Sequence, residues 1–122
     1  STLFPYTTLF RSPYSSPDSL CLHDEKNGLL FTGDTFYRGA IYVWMPGADV
    51  RSYERSIRKL AHLAPHLKLL LPGHGSPTAT PADLPDVAHA LEQIRAGAVN
   101  AVISEGNREY SFNAFTLVLP QT

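Results

Sequence analysis

Two short apolar runs, each stopped by glycine, set the hydrophobic pattern of this chain. Leu29-Leu30-Phe31-Thr32 runs into Gly33-Asp34, and Lys68-Leu69-Leu70-Leu71 runs into Pro72-Gly73-His74-Gly75. A short apolar run closed by turn residues reads as a buried strand. Between the two, Val50, Tyr53, Ile57, Leu60 and Ala64 recur at helical spacing, while Arg51, Glu54, Arg55, Arg58 and Lys59 fall mostly on the other side. That stripe predicts an amphipathic helix capped by Asp49 and stopped by Pro65. A strand–helix–strand unit is most simply parallel. Parallel strands bring their carboxyl ends to one edge, the usual place for binding in such sheets. Asp34 and His74 are then expected at the same rim.

The flanking segments follow the same logic. Pro13 to Asp18 is turn chemistry, and Ser19 to His23 reads as a strand with Leu20 and Leu22 on one side and Cys21 on the other. The charged stretch Asp24 to Gly28 ends in Asn-Gly, a hairpin signal that makes this strand an antiparallel neighbour of the next. Thr35 to Ala48 reads as a long loop holding Phe36, Tyr37, Tyr42, Trp44 and Met45. Long loops in small domains are functional or mobile. Two roles stay open for these rings: a wall beside Asp34, or a cover for the core. Gly75 to Thr78 is a turn. Thr80-Pro81 reads as a helix start, with Leu84, Val87, Leu91 and Ile94 buried and Gly97 as the stop. Two β-like runs about Glu105-Gly106-Asn107-Arg108 predict a terminal hairpin. The class is α/β.

Composition narrows the picture. The chain has 122 residues, enough for one modest domain. Ten Lys+Arg against eleven Asp+Glu give a formal net charge of -1, which offers no electrostatic reason to expect nucleic acid or an anionic membrane as partner. No apolar run approaches the roughly 20 residues of a membrane span. A single cysteine, Cys21, cannot form an internal disulfide, so a cytoplasmic location is the default expectation. Residues 1–12 lack the pattern of a signal peptide. All twelve can be encoded by a string that resembles a common short-read sequencing adapter. Residues 1–12 are therefore read as an adapter-derived segment fused to residues 13–122, a partial domain whose natural N-terminal portion is missing.

The candidate chemistry is a carboxylate and an imidazole. A carboxylate can bridge two cations about 3.5–4 Å apart, and neutral imidazole ligates zinc at about 2.0–2.1 Å. The other histidines are weaker candidates. His62 and His89 lie among polar helical neighbours and His23 sits at a hairpin edge, all three read as surface residues, while His66 follows Pro65 in a loop and so does not share a helical face with His62. Asp34 and His74 alone are too few for a tight site, so the residues reach a metal-dependent α/β domain with an incomplete ligand set. Two alternatives stand beside it. A metallophosphoesterase would need Gly-Asp-x-x-Asp and Gly-Asn-His, and neither occurs. A non-enzymatic α/β interaction module would make Asp34 and His74 plain turn residues.

At Ser16-Pro17-Asp18-Ser19-Leu20, Leu30-Phe31-Thr32-Gly33-Asp34-Thr35 and Leu71-Pro72-Gly73-His74-Gly75 the chain resembles the C-terminal half of the metallo-β-lactamase fold superfamily. The resemblance spans Pro13 to Leu119 and lies nearest the branch of hydroxyacylglutathione hydrolases, lactonases and acyl-thioester hydrolases. The best-known zinc β-lactamases carry cysteine where Asp34 stands. The resemblance implies a four-layer αβ/βα sandwich with two metal ions, usually zinc. Asp34 would bridge both, His74 would ligate the second, and a bridging hydroxide would attack an ester, thioester or lactone carbonyl of a small acyl substrate. Tyr37, Tyr42 and Trp44 would line the substrate. The family's upstream His-x-His-x-Asp-His motif is absent, and Ser15 stands where a ligand histidine is expected. The chain as written is thus expected to bind metal weakly, to be inactive as a hydrolase, and to expose apolar surface where the other half would pack. Its oligomeric state is left open.

Overall fold

Leu29–Gly33 and Leu69–Pro72 pair as parallel strands, with Leu29 opposite Leu69 and Phe31 opposite Leu71. This is the strand–helix–strand unit expected from the pattern. The computed structural model describes residues 7–11, 20–43 and 50–121. In chain order these form β1 (Thr7–Arg11), β2 (Leu20–Asp24), β3 (Leu29–Gly33), β4 (Ala40–Tyr42), α1 (Val50–Ala61), a 3-10 turn (Ala64–His66), β5 (Leu69–Pro72), α2 (Asp83–Arg95), β6 (Val102–Ser104), β7 (Asn107–Ser111) and β8 (Thr116–Pro120). One sheet has the order β1-β2-β3-β5, the other β4-β8-β7-β6. Residues 7–11, set aside on sequence grounds, run as an antiparallel strand beside β2. Pro13 to Asp18, Trp44, Met45 and the cap residue Asp49 lie outside the described residues.

The first sheet has two unlike faces. Cys21, His23, Leu30, Thr32 and Leu70 are buried on one side, where they meet the helices. On the other side Leu22, Phe31 and Leu71 form a row across three strands, and Phe31 is 42% exposed. His23, read as a surface residue, is in fact 7% exposed. Strand alternation overrides its polarity, because it shares the face of Cys21.

α1 buries Tyr53, Ile57 and Leu60 as expected, and α2 buries Leu84, Val87 and Leu91. The two helices pack on each other. Their side chains join those of both sheets, including Phe36, Ile41, Leu117 and Leu119, in a single core. Glu54, placed on the solvent face by its charge, is buried between the helices instead. α1 ends at Ala61 rather than Ala64. Pro65 has no N–H and its ring would strike the carbonyl four residues back, so the chain tightens into a 3-10 turn first. α2 begins at Asp83 with Ala82 as its cap position, so Thr80 and Pro81 belong to the preceding turn.

The segment expected to be one long loop contains β4, which pairs in parallel with β8. The tail holds three strands, not two. β6 and β7 form the expected hairpin around Glu105 and Gly106, both at positive φ. β7 then turns through residues 112–115 into β8. No helix among the described residues is long and apolar enough to cross a membrane.

Candidate active site

β3 and β5 carry Asp34 and His74 off their carboxyl ends, and the two side chains meet. His74 Nε2 lies 2.5 Å from Asp34 Oδ1. Both remain open to solvent, at 61% and 45% side-chain exposure for His74 and Asp34. Forty positions of sequence separate them, so the sheet, and not local geometry, makes the contact.

Each residue is held by its own turn. Gly33 and Asp34 are the central residues of a tight turn closed by the Thr35 N–H donating to the Thr32 carbonyl at 2.9 Å. Gly33 takes a positive φ of 53°, a conformation that glycine adopts without steric cost. The Thr32 hydroxyl donates to the Phe36 carbonyl at 2.8 Å, and the buried Tyr53 hydroxyl donates to the Thr35 carbonyl at 2.8 Å. Asp34 thus rides on a turn fixed from the strand side and from α1. On the other strand, Leu70 and Ala79 exchange backbone hydrogen bonds of 2.9 and 3.0 Å, which ties the base of the loop bearing His74. The Gly73 N–H donates to the Gly33 carbonyl at 3.0 Å. The register between the two strands shifts between Phe31 and Gly33, a local irregularity that re-aims the side chain beyond it.

The glycines about His74 have a steric reason. A Cβ on Gly73 would lie 3.3 Å from the Gly33 backbone, and one on Gly75, at φ +70°, would overlap the Arg38 carbonyl oxygen. Arg38 is itself anchored. Its Nε is 3.0 Å from Asp83 Oδ2 and a terminal nitrogen is 3.3 Å from Oδ1, a bidentate pair to the first residue of α2. The sequence reading missed this clamp. Its only local trace is an acid in the first turn of α2.

The aromatic loop divides between the two roles left open for it. Phe36 is fully buried and meets Phe115 edge-on at 6.1 Å, so it covers the core. Tyr37 stands beside the acid–imidazole pair. Its ring meets that of His74 edge-on, with centroids 5.2 Å apart, and its hydroxyl donates to the Ala40 carbonyl. Burial first, then the negative charge of Asp34 and the neighbouring Tyr42, raise the Tyr37 phenol above its usual range. Tyr42 is exposed on β4. The structure brings together Asp34, His74 and Tyr37, with Tyr42 next to Tyr37.

Oxygen and nitrogen donors on facing turns are the right chemistry for a divalent cation. Two donors do not close a shell, however, and among the described residues no three His, Cys, Asp or Glu side chains gather where they could hold a metal ion. The residues present fit part of a metal site and not a whole one.

A sequence profile of the metallo-beta-lactamase superfamily matches residues 7–96, and the chain belongs to that superfamily. It is 36% identical over 69 residues to the acyl-coenzyme A thioesterase MBLAC2 of Gallus gallus, covering 55% of this chain and 25% of that protein. The Homo sapiens protein of the same description is 33% identical over 69 residues, with the same coverage. An uncharacterized protein of Aquifex aeolicus is 27% identical over 67 residues, covering 54% of this chain and 32% of that one. The matched segment thus spans a quarter to a third of these relatives. In structure the chain is similar to a metallo-beta-lactamase from Pontibacter korlensis, with a TM-score of 0.54 and 19% identity over 70% of this chain and 41% of that one. The fold is accordingly the mixed α/β architecture of a metallo-β-lactamase fold fragment.

Proposed function

We propose that this chain carries the carboxylate–imidazole half of a metal-dependent hydrolase whose intact form cleaves a small acyl substrate of the thioester class. The contact between Asp34 and His74 carries the reading. It joins one oxygen and one nitrogen donor at the carboxyl ends of two parallel strands, the rim where α/β sheets bind ligands. Relatives described as acyl-coenzyme A thioesterases favour a thioester over a lactone.

On this reading Asp34 and His74 are metal ligands, Asp34 the shared one, in a site for two ions, zinc by preference. Bound metal ions would supply Lewis-acid polarisation of the carbonyl and a nucleophile at neutral pH. The chain's own residues do the positioning. The turn at Gly33-Asp34 and the Gly-His-Gly loop fix the two donors, and a cation would lie between them in place of their direct contact. The edge of Tyr37 limits how far the imidazole can swing. Tyr37 and Tyr42 form an aromatic side to the site, and Trp44 is assigned to the same wall. Two donors are too few, so the chain by itself is a weak metal binder and an inactive hydrolase. Residues 13–122 are a partial domain on this reading, completed by a segment carrying further histidine ligands.

Equilibrium dialysis of the 122-residue chain against zinc tests this. Weak binding that vanishes in Asp34→Ala and in His74→Ala is the expected result. Zinc binding that is absent, or unchanged in both variants, leaves the pair as turn residues of an interaction module.

A further inference from the structure

A cavity of about 330 Å³ lies between α2 and the turn that joins β7 to β8. On α2, Asp86, Ala90 and Gln93 share one stripe at helical spacing, while Leu84, Val87 and Leu91 are buried in the core. On the opposite wall, residues 112–115 form a tight turn closed by the Phe112 N–H donating to the Phe115 carbonyl at 2.8 Å. The Thr116 N–H donates to the Gly39 carbonyl at 2.8 Å, which pins this turn beside Arg38. Both walls are thus held by backbone structure.

Two features of the lining set its chemistry. The first is a ladder of rings. Phe36 meets Phe115 edge-on at 6.1 Å, and Phe115 stacks on Phe112 with centroids 5.3 Å and planes 28° apart. Phe36 and Phe115 are buried and Phe112 is half-buried, so the ladder runs outward from the core and stops at the cavity. Another planar ring is what continues such a stack. The second feature is a set of idle polar groups. Among the described residues the side chains of Asp86, Gln93 and Asn113 make no hydrogen bond or ion pair, yet all three line this cavity. Arg38 and Asp83 line it too, but they neutralise each other in a bidentate pair. His89 stands 4.0 Å from Glu92. Asp86 is therefore an uncompensated carboxylate, which accepts hydrogen bonds and disfavours an anion. The amides of Gln93 and Asn113 each offer a donor and an acceptor side by side.

A flat ring with an amino group beside a ring nitrogen answers both features. Asn and Gln pair bidentately with that edge of adenine, and a base stacks on an aromatic side chain. We infer that the cavity between α2 and the β7–β8 turn binds an adenine-type ring, stacked on Phe112 and held at its amino edge by Asp86, Gln93 and Asn113. Arg38 borders both this cavity and the loop bearing His74, since its side chain lines the one and its carbonyl abuts Gly75 in the other. The site uses neither Asp34 nor His74, and the inference does not depend on the hydrolase reading.

NMR titration of the full chain with adenosine, in chelator-treated metal-free buffer, tests it. Saturable binding is expected, with the largest amide shifts at residues 86–93 and 112–115. Inosine has an oxo group in place of the amino group, and is expected to bind at least about tenfold more weakly. Asp86→Asn and Asn113→Ala lie at exposed positions and are expected to weaken adenosine at least about fivefold with the fold intact. Phe112→Leu removes the stacking face and should cost about tenfold. Glu25→Gln removes a carboxylate in the β2–β3 turn, outside the cavity, and is expected to change affinity less than about twofold. Tighter binding of adenosine diphosphate than of adenosine would support a nucleotide as the bearer of the ring, and equal binding a nucleoside. No saturable binding, equal affinity for inosine, or an equal loss in Glu25→Gln overturns the inference.

Discussion

Gly75 and Arg38 approach so closely that no side-chain atom fits between the glycine Cα and the arginine carbonyl. This contact joins the loop bearing His74 to the segment that follows Asp34, and Asp83 anchors the same arginine from α2. Gly75→Ala is therefore expected to do two things. The positive φ of 70° costs roughly 1–2 kcal/mol with a Cβ present, and the overlap forces the loop away from Arg38. Gly97 provides the comparison. It has φ +73°, and a Cβ there would meet nothing within 4 Å among the described residues. Gly97→Ala should cost only the conformational part. Chemical denaturation should show the larger loss for Gly75→Ala. NMR of the imidazole should show the His74–Asp34 hydrogen bond perturbed in that variant alone.

The buried carboxylate between the helices predicts an asymmetry. Glu54 is almost wholly covered, whereas the side chain of Arg95 is 47% exposed. Removing Arg95 leaves a desolvated acid with only Arg58, so Arg95→Ala should be the more costly of the two single changes. Glu54→Ala leaves a guanidinium that water can reach, and should cost under about 1 kcal/mol beyond the lost packing. Urea unfolding of the two single variants and the double variant measures this. A double variant no less stable than Arg95→Ala is the expected sign of coupling.

The same residue shows where sequence pattern stops. The helical stripe of Tyr53, Ile57 and Leu60 was legible because three large apolar residues repeat at helical spacing. Glu54 was not, because its burial depends on Arg95, 41 positions away. β4 failed for a related reason. Ala40-Ile41-Tyr42 is too short to show alternation, and it becomes a strand only through pairing with β8 near the other end of the chain. The Asp34–His74 pair was readable because each lies one turn beyond an apolar run, and parallel topology then fixes the shared rim. The clamp from Arg38 to Asp83 left almost no local trace, since it joins a loop to a helix start.

Cys21 gives a pH prediction. It is buried in β2 with its thiol 3.8 Å from the Thr32 carbonyl. Burial pushes its pKa up from the ordinary 9.0 to about 11. The folded thiol holds its proton where the unfolded one has lost it. The resulting stability is complete below pH 9.0 and is lost as pH rises towards about 11, a fall of about 2–3 kcal/mol from this group. Tyr37, also raised, adds a loss of the same sign at alkaline pH. Cys21→Ala should lower stability at neutral pH and flatten the alkaline decline, leaving only the tyrosine share. Thermal melts of both proteins across that range measure the difference in slope. Equal slopes would mean the thiol is not desolvated.

The two faces of the first sheet should respond to substitution in opposite ways. Leu30 is fully buried, and Leu30→Ala should cost about 2–5 kcal/mol by opening a cavity among the helices. Phe31, its neighbour in sequence, points the other way and is 42% exposed beside Leu22 and Leu71. A contiguous apolar row on a sheet face binds hydrophobic dyes. Phe31→Lys removes the ring from that row and leaves the core untouched. It should cost under about 1 kcal/mol and lower the fluorescence of a bound naphthalene-sulfonate dye. Leu30→Ala should leave that signal unchanged or raise it as the fold loosens. Dye binding that survives Phe31→Lys at full strength would mean that the row formed by Leu22, Phe31 and Leu71 is not the surface the dye finds.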